Sequence, residues 1–116
     1  RFALMIRDEG EVKNSKIVPS GWIKSVFDVS EKLKLNMDSN PNYGDESWEA
    51  YHNMWWILDS AKGEFCATGI HGQVIYINKM KNTVMVWFSN QPGAAAPRNI
   101  NYQSKLMAAR VLVESL

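Results

Sequence analysis

Four short runs of β-branched, aromatic and other apolar residues follow one another between positions 54 and 88, and turn-forming residues separate them. Runs of this length and composition are typical of strands. Gly69–Gly72 interrupts the middle of the series, so we expect three or four antiparallel strands. The runs are Met54–Leu58, Phe65–Thr68, Val74–Ile77 and Thr83–Phe88.

The last of these runs, Thr83–Phe88, is apolar on both faces of a strand. Strands with this pattern are normally covered on both sides by other parts of the fold. We therefore expect this strand to lie inside the sheet or under helices, and not at an edge.

Apolar residues at helical spacing predict two helices before the strands and one after them. The first ends near Glu9 and is stopped by Gly10, after which Glu11–Lys16 is a polar connector. The second starts near Gly21, with Ser20 as its cap, and fades near Leu35. Its predicted buried stripe is Trp22, Ile23, Val26, Phe27, and Val29 or Leu33.

Turn-forming residues in Asn36–Ser47 predict a long surface loop between the second helix and the strands. After the strands, Asn99 or Asn101 can cap a final helix. The chain is thus predicted to be α+β, an antiparallel sheet flanked by helices. The buried face of the final helix is predicted to carry Leu106, Ala109, Val113 and Leu116.

The composition excludes several classes of function. The 116 residues carry 13 Lys and Arg against 12 Asp and Glu, so no excess of positive charge favours a nucleic-acid partner. No apolar run reaches the roughly 18–20 residues that span a bilayer, so we expect no membrane span. The single Cys66 cannot form an internal disulfide, and both periplasm and cytoplasm stay open as compartments.

The first helix has no capping residue, because Arg1 leads directly into an apolar turn. A helix that lacks its first turn leaves amide donors unsatisfied. This start predicts that residues 1–116 are the C-terminal segment of a longer protein. Removal of a tag or a disordered start are the alternatives.

Common catalytic and metal-binding patterns are missing from the sequence. There is no Ser-x-x-Lys and no Gly-x-Ser-x-Gly, so no serine nucleophile is encoded in a known motif. Cys66 lies between apolar neighbours and is interpreted as a core residue, not as the partner of His71 in a dyad. His52 and His71 have no spacing that suits zinc, and we expect no cofactor and no metal.

The segment Thr68–Gln73 is the strongest candidate for chemistry. Two glycines three positions apart allow a close approach of the backbone to a ligand and can leave an amide at the strand end available, as in an oxyanion hole. The Ile70 amide is the candidate donor, and a plain bulge is the alternative. One indole of Trp55 and Trp56, on the neighbouring strand, can form a cleft wall, and the other then points to the opposite face.

Motifs spread over nearly the whole chain carry a resemblance to a known family. In their order and spacing they resemble the C-terminal part of serine β-lactamases and penicillin-binding proteins, on the class C and esterase side. The chain is most similar to the 6-aminohexanoate-dimer hydrolase branch. The motifs are Arg1–Met5, Gly10, Ile17–Pro19, Trp22-Ile23, Asn42–Gly44, Trp55-Trp56 and Gly69–Ile77.

The resemblance implies an antiparallel sheet flanked by helices and an acyl-serine mechanism. In that family, a Ser-x-x-Lys pair and a tyrosine lie upstream, and neither is matched here. Thr68–Gly72 stands near the third motif, Lys-Thr-Gly or a His/Gly variant, but the lysine is absent. This departure favours a small amide or ester substrate over a β-lactam.

Carried over to this chain, the resemblance gives the Ile70 amide the role of second oxyanion donor. It places Trp56, or alternatively Trp55, beside the substrate together with Gly69 and His71. The implied partner is the N-terminal remainder of the same enzyme, without which the chain is expected to be inactive. The other class of function that stays open is a non-catalytic β-lactamase-like domain that binds peptide or cell-wall fragments.

Overall fold

The structure, a computed structural model, describes residues 1–30, 48–94 and 100–116, with the side chains of the last helix from Ser104 onward. The predicted Asn36–Ser47 loop lies outside these residues. Three helices and seven strands are present in the described ranges. They are α1 Phe2–Arg7, β1 Glu11–Val12, β2 Ser15–Lys16, α2 Ser20–Ser25, β3 Ala50–His52, β4 Trp55–Asp59, β5 Glu64–Gly69, β6 Gln73–Asn78, β7 Thr83–Trp87 and α3 Ile100–Glu114.

Strands β3 to β7 form one sheet in sequence order, and every neighbouring pair is antiparallel. The predicted fold class, an antiparallel sheet flanked by helices, is confirmed. The sheet has five strands where three or four were predicted. The missed strand, β3, has only three residues and is joined to β4 by Asn53 and Met54, which both have positive φ (50° and 68°). Positive φ at both positions suits a tight two-residue hairpin turn.

The sheet separates two apolar clusters because successive side chains on a strand point to opposite faces. Trp55 and Ile57 of β4 pack on the face covered by α1 and α2. Trp56 and Leu58 pack on the other face, which α3 covers. The prediction that the two neighbouring indoles point to opposite faces is confirmed, and the result is a helix–sheet–helix arrangement of three layers.

Helix α1 ends in a turn that depends on glycine. The Gly10 amide donates to the Met5 carbonyl at 2.8 Å and the Glu9 amide to the Ile6 carbonyl at 3.2 Å, the two bonds of a Schellman motif. Glu9 and Gly10 have φ of 55° and 86°. Gly10 lies in the turn that ends the helix, as predicted, but the helix ends at Arg7, and the first left-handed residue after it is Glu9.

Replacing Gly10 with alanine is expected to lower the free energy of unfolding by about 2 kcal/mol. The added Cβ would lie 2.2 Å from the carbonyl oxygen of Val18, and φ at this position is left-handed. Gly21→Ala is the matched control, because nothing lies within 4 Å of its added Cβ and the position is helical. Chemical denaturation should show a loss for Gly10→Ala and no loss for Gly21→Ala. Equal midpoints would contradict the strain described for Gly10.

The segment Glu11–Lys16, predicted as a polar connector, is instead a small hairpin of β1 and β2. Lys13 and Asn14 form its turn with φ of 49° and 64°. Hairpins of this type usually carry Asn-Gly or Asp-Gly at these positions. The prediction was wrong because Lys-Asn is a weak turn signal and the two strands bury no apolar side chain.

Helix α2 is shorter than predicted and does not run on toward Leu35. It ends at Ser25, and residues 28–30 are not helical. The amide of Ser30 donates to the Asp28 carboxylate at 3.0 Å. Such a local bond between side chain and backbone competes with helical bonding, and here it lies where the predicted helix would continue.

The start of α2 also differs from the prediction. Ser20 is the first helical residue, and Pro19 precedes it as the cap position without a side-chain bond. Ile23 and Val26 are buried as predicted, whereas Trp22 is 44% exposed. Phe27 and Val29, which follow the helix, are partly buried against the same cluster, so Trp22 is the described member of the predicted stripe that faces solvent.

Helix α3 lies against the sheet with most of its predicted stripe. Of that stripe, Leu116 is exposed, since it follows the end of the helix. Asn101 lies inside the helix and Asn99 lies outside the described residues, so no cap is assigned. The buried residues of the stripe are Leu106, Ala109 and Val113.

Within the described ranges, no helix has the length and apolar character needed to cross a membrane.

Strand β7 lies at the edge of the sheet that the described strands form, which contradicts the predicted interior position. Its sequence, Thr-Val-Met-Val-Trp, contains no charge and no proline. Val86 is 46% exposed and Phe88, just beyond the strand, is 90% exposed. Edge strands in water normally carry charges, proline or bulges that prevent further pairing, and β7 has none of these features.

Candidate functional site

The site predicted from the sequence lies in the short connection between β5 and β6. Ile70–Gly72 forms a single 3-10 turn, named here the 70–72 turn, and Gly69 pairs with Gln73 across its base. His71 has φ 56° and ψ 24°, in the left-handed region, and Gly72 follows with φ 79°. The side chain of Ile70 is 66% exposed. The backbone therefore turns sharply where the Ile70 amide begins the connection.

The two glycines of the motif have different roles in the backbone. A Cβ on Gly72 would lie 2.6 Å from the side-chain amide of Gln91, and the left-handed φ also favours glycine. Gly69 is extended, with φ −125°, and its added Cβ would meet the Gln73 Cβ at 3.3 Å. The backbone conformation requires glycine only at Gly72. At Gly69 a side chain would instead crowd the side chain of Gln73.

The 70–72 turn is bonded to the segment after β7. The His71 amide donates to the Ala94 carbonyl at 3.1 Å, and its carbonyl accepts from the Gln91 amide at 3.3 Å. The His71 Nδ1 lies 2.8 Å from the Gln91 carbonyl oxygen. Because a carbonyl only accepts, Nδ1 is the protonated nitrogen, and in the neutral ring Nε2 is left as an acceptor. The predicted substrate-binding His71 is thus also a structural link.

Two further side chains hold the same connection. The side-chain amide of Gln73 donates to the Ser89 carbonyl and accepts from the Ser89 amide. From the other side, the Lys105 Nζ of α3 donates to the Gly72 carbonyl at 2.7 Å. The turn is therefore fixed both to the segment after β7 and to the final helix.

A shallow, mainly apolar groove of about 370 Å³ borders the strand end that carries Gly69. It lies beside the edge strand β7, and exposed Phe88 forms part of its wall. Its position next to the 70–72 turn gives an apolar part of a ligand a place to lie. The lining residues are Ala67, Thr68, Gly69, Gln73, Val74, Ile75, Val86, Trp87 and Phe88.

The two candidate tryptophans have different environments. Trp55 is 4% exposed and packs edge-on against Phe65, at 5.0 Å between ring centroids. Trp56 is half-buried and lies 4.4 Å from the Tyr51 ring and 5.0 Å from the Trp48 ring. The structure thus places an aromatic group of three rings on the α3 side of β3 and β4.

Trp56 does not lie next to the 70–72 turn. It pairs with Cys66, four residues before Ile70 on β5. At about 3.3 Å per residue, this corresponds to about 13 Å along the strand. A ligand that contacts both the indole and the Ile70 amide would therefore have to be elongated.

A buried ionic cluster lies at the opposite end of β5. The Glu64 carboxylate, 2% exposed, accepts two bonds from the Arg110 guanidinium, at 2.6 and 3.0 Å. It also accepts the Tyr76 hydroxyl at 2.8 Å. Burial is the main reason why the pKa of Tyr76 is raised far above its ordinary value. The hydrogen bond to Glu64 is the main reason why the pKa of Arg110 is raised.

Sequence reasoning missed this cluster and the role of Lys105. Glu64 stands at the start of an apolar strand, and Lys105 and Arg110 flank the apolar stripe of the final helix. A single acidic residue at a strand start and basic residues beside a helix stripe are weak signals, since most such charges face water. Only the tertiary packing brings them into contact.

In the part of the chain that the structure describes, side chains suited to binding a metal ion do not lie close together. There, no three His, Cys, Asp or Glu side chains form a possible metal site. Cys66 is buried in the α3-side cluster, as predicted for a core residue. The candidate site that the sequence motif predicts is the 70–72 turn with its groove.

No protein-family model matches the chain, but curated proteins and solved structures do. The 6-aminohexanoate-dimer hydrolase of Paenarthrobacter ureafaciens is 25% identical to the chain over 92 residues, which is 79% of the chain. A solved structure, "Putative 6-aminohexanoate-dimer hydrolase from Bacillus anthracis", matches 99% of the chain with a TM-score of 0.70 and 25% identity. The chain resembles the 6-aminohexanoate-dimer hydrolases. The resemblance predicted from the sequence motifs is confirmed.

The chain is much shorter than these 6-aminohexanoate-dimer hydrolases. It spans 23% of the curated relative and 28% of the solved structure. Both relatives are named as hydrolases, and the α+β fold of the chain agrees with that of the solved neighbour. The activity named for these relatives therefore belongs to proteins much longer than the 116 residues.

Proposed function

We propose that the chain is the C-terminal segment of an acyl-serine hydrolase that acts on amide or ester bonds. The observation that carries this proposal is the 70–72 turn, a fixed, sharp turn at a strand end, in a chain that resembles hydrolases over 79% of its length. The Ile70 amide is the donor that this turn contributes to the oxyanion hole. The second donor and the nucleophile come from a segment outside residues 1–116.

The proposed reaction has two steps. A serine oxygen attacks the substrate carbonyl carbon, the carbonyl oxygen becomes an oxyanion, and a lysine and a tyrosine take the serine proton and pass it to the leaving amine or alcohol. The bond to the leaving group breaks and leaves an acyl-serine. Water then attacks the acyl carbonyl, the bond to the serine oxygen breaks, and a proton from the water returns to the serine oxygen as the acid is released. In both steps the Ile70 amide donates to the oxyanion, which is stabilised most in the transition state.

Two features support a substrate with an apolar part. The groove beside Gly69 offers apolar surface directly next to the turn. Trp56, half-buried with other aromatic rings on the α3 face of the sheet, is the proposed cleft wall, since Trp55 is covered by its neighbours. The groove residues Ala67 and Ile75 lie on the opposite face, so the proposed substrate uses either the groove or Trp56. Gly69 and His71 contribute backbone and ring atoms at the strand end. An elongated amide or ester suits the separation of Trp56 and Ile70.

The proposed partner is the remainder of the same enzyme, which carries Ser-x-x-Lys and the tyrosine. The uncharged edge of β7 and the exposed Val86 and Phe88 support it, because an edge of this kind normally has a neighbour. The length of the relatives also supports a larger unit.

The isolated 116-residue chain is expected to show no turnover of a p-nitrophenyl ester, because the proposed nucleophile lies outside it. The measurement is release of p-nitrophenolate, together with labelling by a fluorophosphonate, which reacts with activated serines. A matched control is the chain denatured in urea, whose background rate should be the same. A labelled serine within residues 1–116, with turnover above this background, would contradict the proposal.

The same assay applied to the complete hydrolase is expected to give a positive result. When the chain is joined to its proposed remainder, the label should appear on one serine of that remainder and ester turnover should appear with it. Saturable binding of peptide or cell-wall fragments without any labelled serine would instead favour a non-catalytic binding domain.

A further inference from the structure

We infer that Lys105 of α3 is a positioning residue for the proposed oxyanion donor. Its Nζ donates to the Gly72 carbonyl at 2.7 Å, two residues after Ile70. This inference rests on the proposed function, since it concerns the same Ile70 amide. Lys105 touches no reacting atom and acts through the backbone of the 70–72 turn.

The turn needs external support because its backbone conformation is unfavourable. His71 is left-handed, a conformation that is unfavourable for a residue with a side chain. A bond between an ammonium group and a carbonyl is stronger than one between neutral groups. The Lys105 bond therefore favours the observed conformation of Gly72 and, through it, that of the whole turn.

Lys105 differs from the other supports in the element that provides it. His71 and Gln73 join the turn to residues 89–91, which have no regular secondary structure. Lys105 instead belongs to a helix whose neighbouring residues Leu106 and Ala109 are buried against the sheet. Its Nζ thus joins the turn to a packed helix, which fixes the position of the turn relative to the sheet.

This fixed position matters for the proposed chemistry. An oxyanion donor must lie about 2.7–3.1 Å from the oxygen in the transition state, and displacement by about 1 Å can cost up to 100-fold in rate. Loss of the Lys105 bond leaves the Ile70 amide present but less well placed. The expected signature is a lower kcat with little change in KM, because the donor acts mainly in the transition state.

The test compares three variants. Lys105→Met removes the donor and keeps the aliphatic stem, and Lys105→Arg restores a donor. Lys16→Met is the matched control, since the Lys16 Nζ also donates to a backbone carbonyl, that of Glu9 at 3.2 Å, far from the turn in sequence. Amide hydrogen exchange in the complete protein reports on the turn, and kcat and KM of the same protein report on catalysis.

In Lys105→Met, exchange of the His71 amide should become about 10-fold faster and kcat should fall about 10-fold, with KM within about two-fold. Lys105→Arg should recover most of both effects, and Lys16→Met should change neither. Unchanged exchange in Lys105→Met overturns the positioning role. Faster exchange with unchanged kcat overturns its link to catalysis. A wild-type complete protein without hydrolysis overturns the proposed function instead, while the exchange result still decides whether Lys105 holds the turn.

Discussion

Replacing Ile70 with proline is expected to lower kcat of the complete hydrolase about 100- to 1000-fold, because proline has no amide hydrogen to donate to the oxyanion. The backbone at this position accepts proline. Ile70 is the first residue of the 70–72 turn and does not have a positive φ, and Gly69 before it is extended, with φ −125° and ψ 166°. Proline fits the first position of a helical turn and favours an extended residue before it.

Ile70→Ala separates the loss of the amide from the loss of the side chain. It keeps the donor and removes most of a side chain that is 66% exposed, so kcat should stay within about three-fold of wild type. Measured free energies of unfolding should be similar for the two variants. If alanine and proline reduced kcat equally, the side chain and not the amide would carry the effect, and the oxyanion role would be wrong.

Replacing Arg110 with methionine is expected to lower the free energy of unfolding by about 2–3 kcal/mol. The change leaves Glu64, 2% exposed, without its two bonds to the guanidinium. Methionine keeps aliphatic volume, so the loss of the ionic partner is the dominant change. Because Arg110 is itself partly exposed, the expected loss lies below the upper end of the range for fully buried pairs.

Two comparisons test the cause of this loss in denaturant unfolding. Arg7→Met removes an exposed pair with Asp8, at 2.7 Å, and an exposed bond to the Asn82 carbonyl, at 3.2 Å, and should cost about 1 kcal/mol. The double variant Glu64→Gln with Arg110→Met removes the buried charge and keeps an acceptor for the Tyr76 hydroxyl, so it should recover about half of the loss. Equal losses in the single and double variants would show that Arg110 acts through packing and not through its charge.

The parts of the fold that follow from local pattern were predicted correctly from the sequence. The four apolar runs correspond to β4 to β7, Gly10 closes the first helix, and Trp55 and Trp56 point to opposite faces. Each of these depends on strand alternation or on a glycine at a left-handed position. Both signals are local and can be recognised in a single sequence.

The failures come from weak or non-local signals. Strand β3 has three residues and the β1–β2 hairpin turns at Lys13 and Asn14, so neither has a distinctive pattern. The interior position predicted for β7 assumed that an apolar strand is covered, but coverage depends on what lies beside it. An edge can be identified only when the order of strands is known.

The candidate site was predicted in part. The motif Thr68–Gln73 marks a sharp turn, as the positive φ of His71 and Gly72 bears out. Its supports could not be found in the same way, because Lys105 lies 33 residues from Gly72 along the chain. A lysine on a helix has no feature that identifies the carbonyl it will meet.

Helix α3 is attached at both ends of β5 and its turn: Lys105 bonds to the Gly72 carbonyl, and Arg110 bonds to Glu64. The two basic residues are five positions apart, about 7.5 Å along the helix axis and more than one full turn around it. One inserted or deleted residue between them would rotate one side chain by about 100° relative to the other. During divergence of related sequences, substitutions in this interval are therefore easier to accommodate than changes in its length.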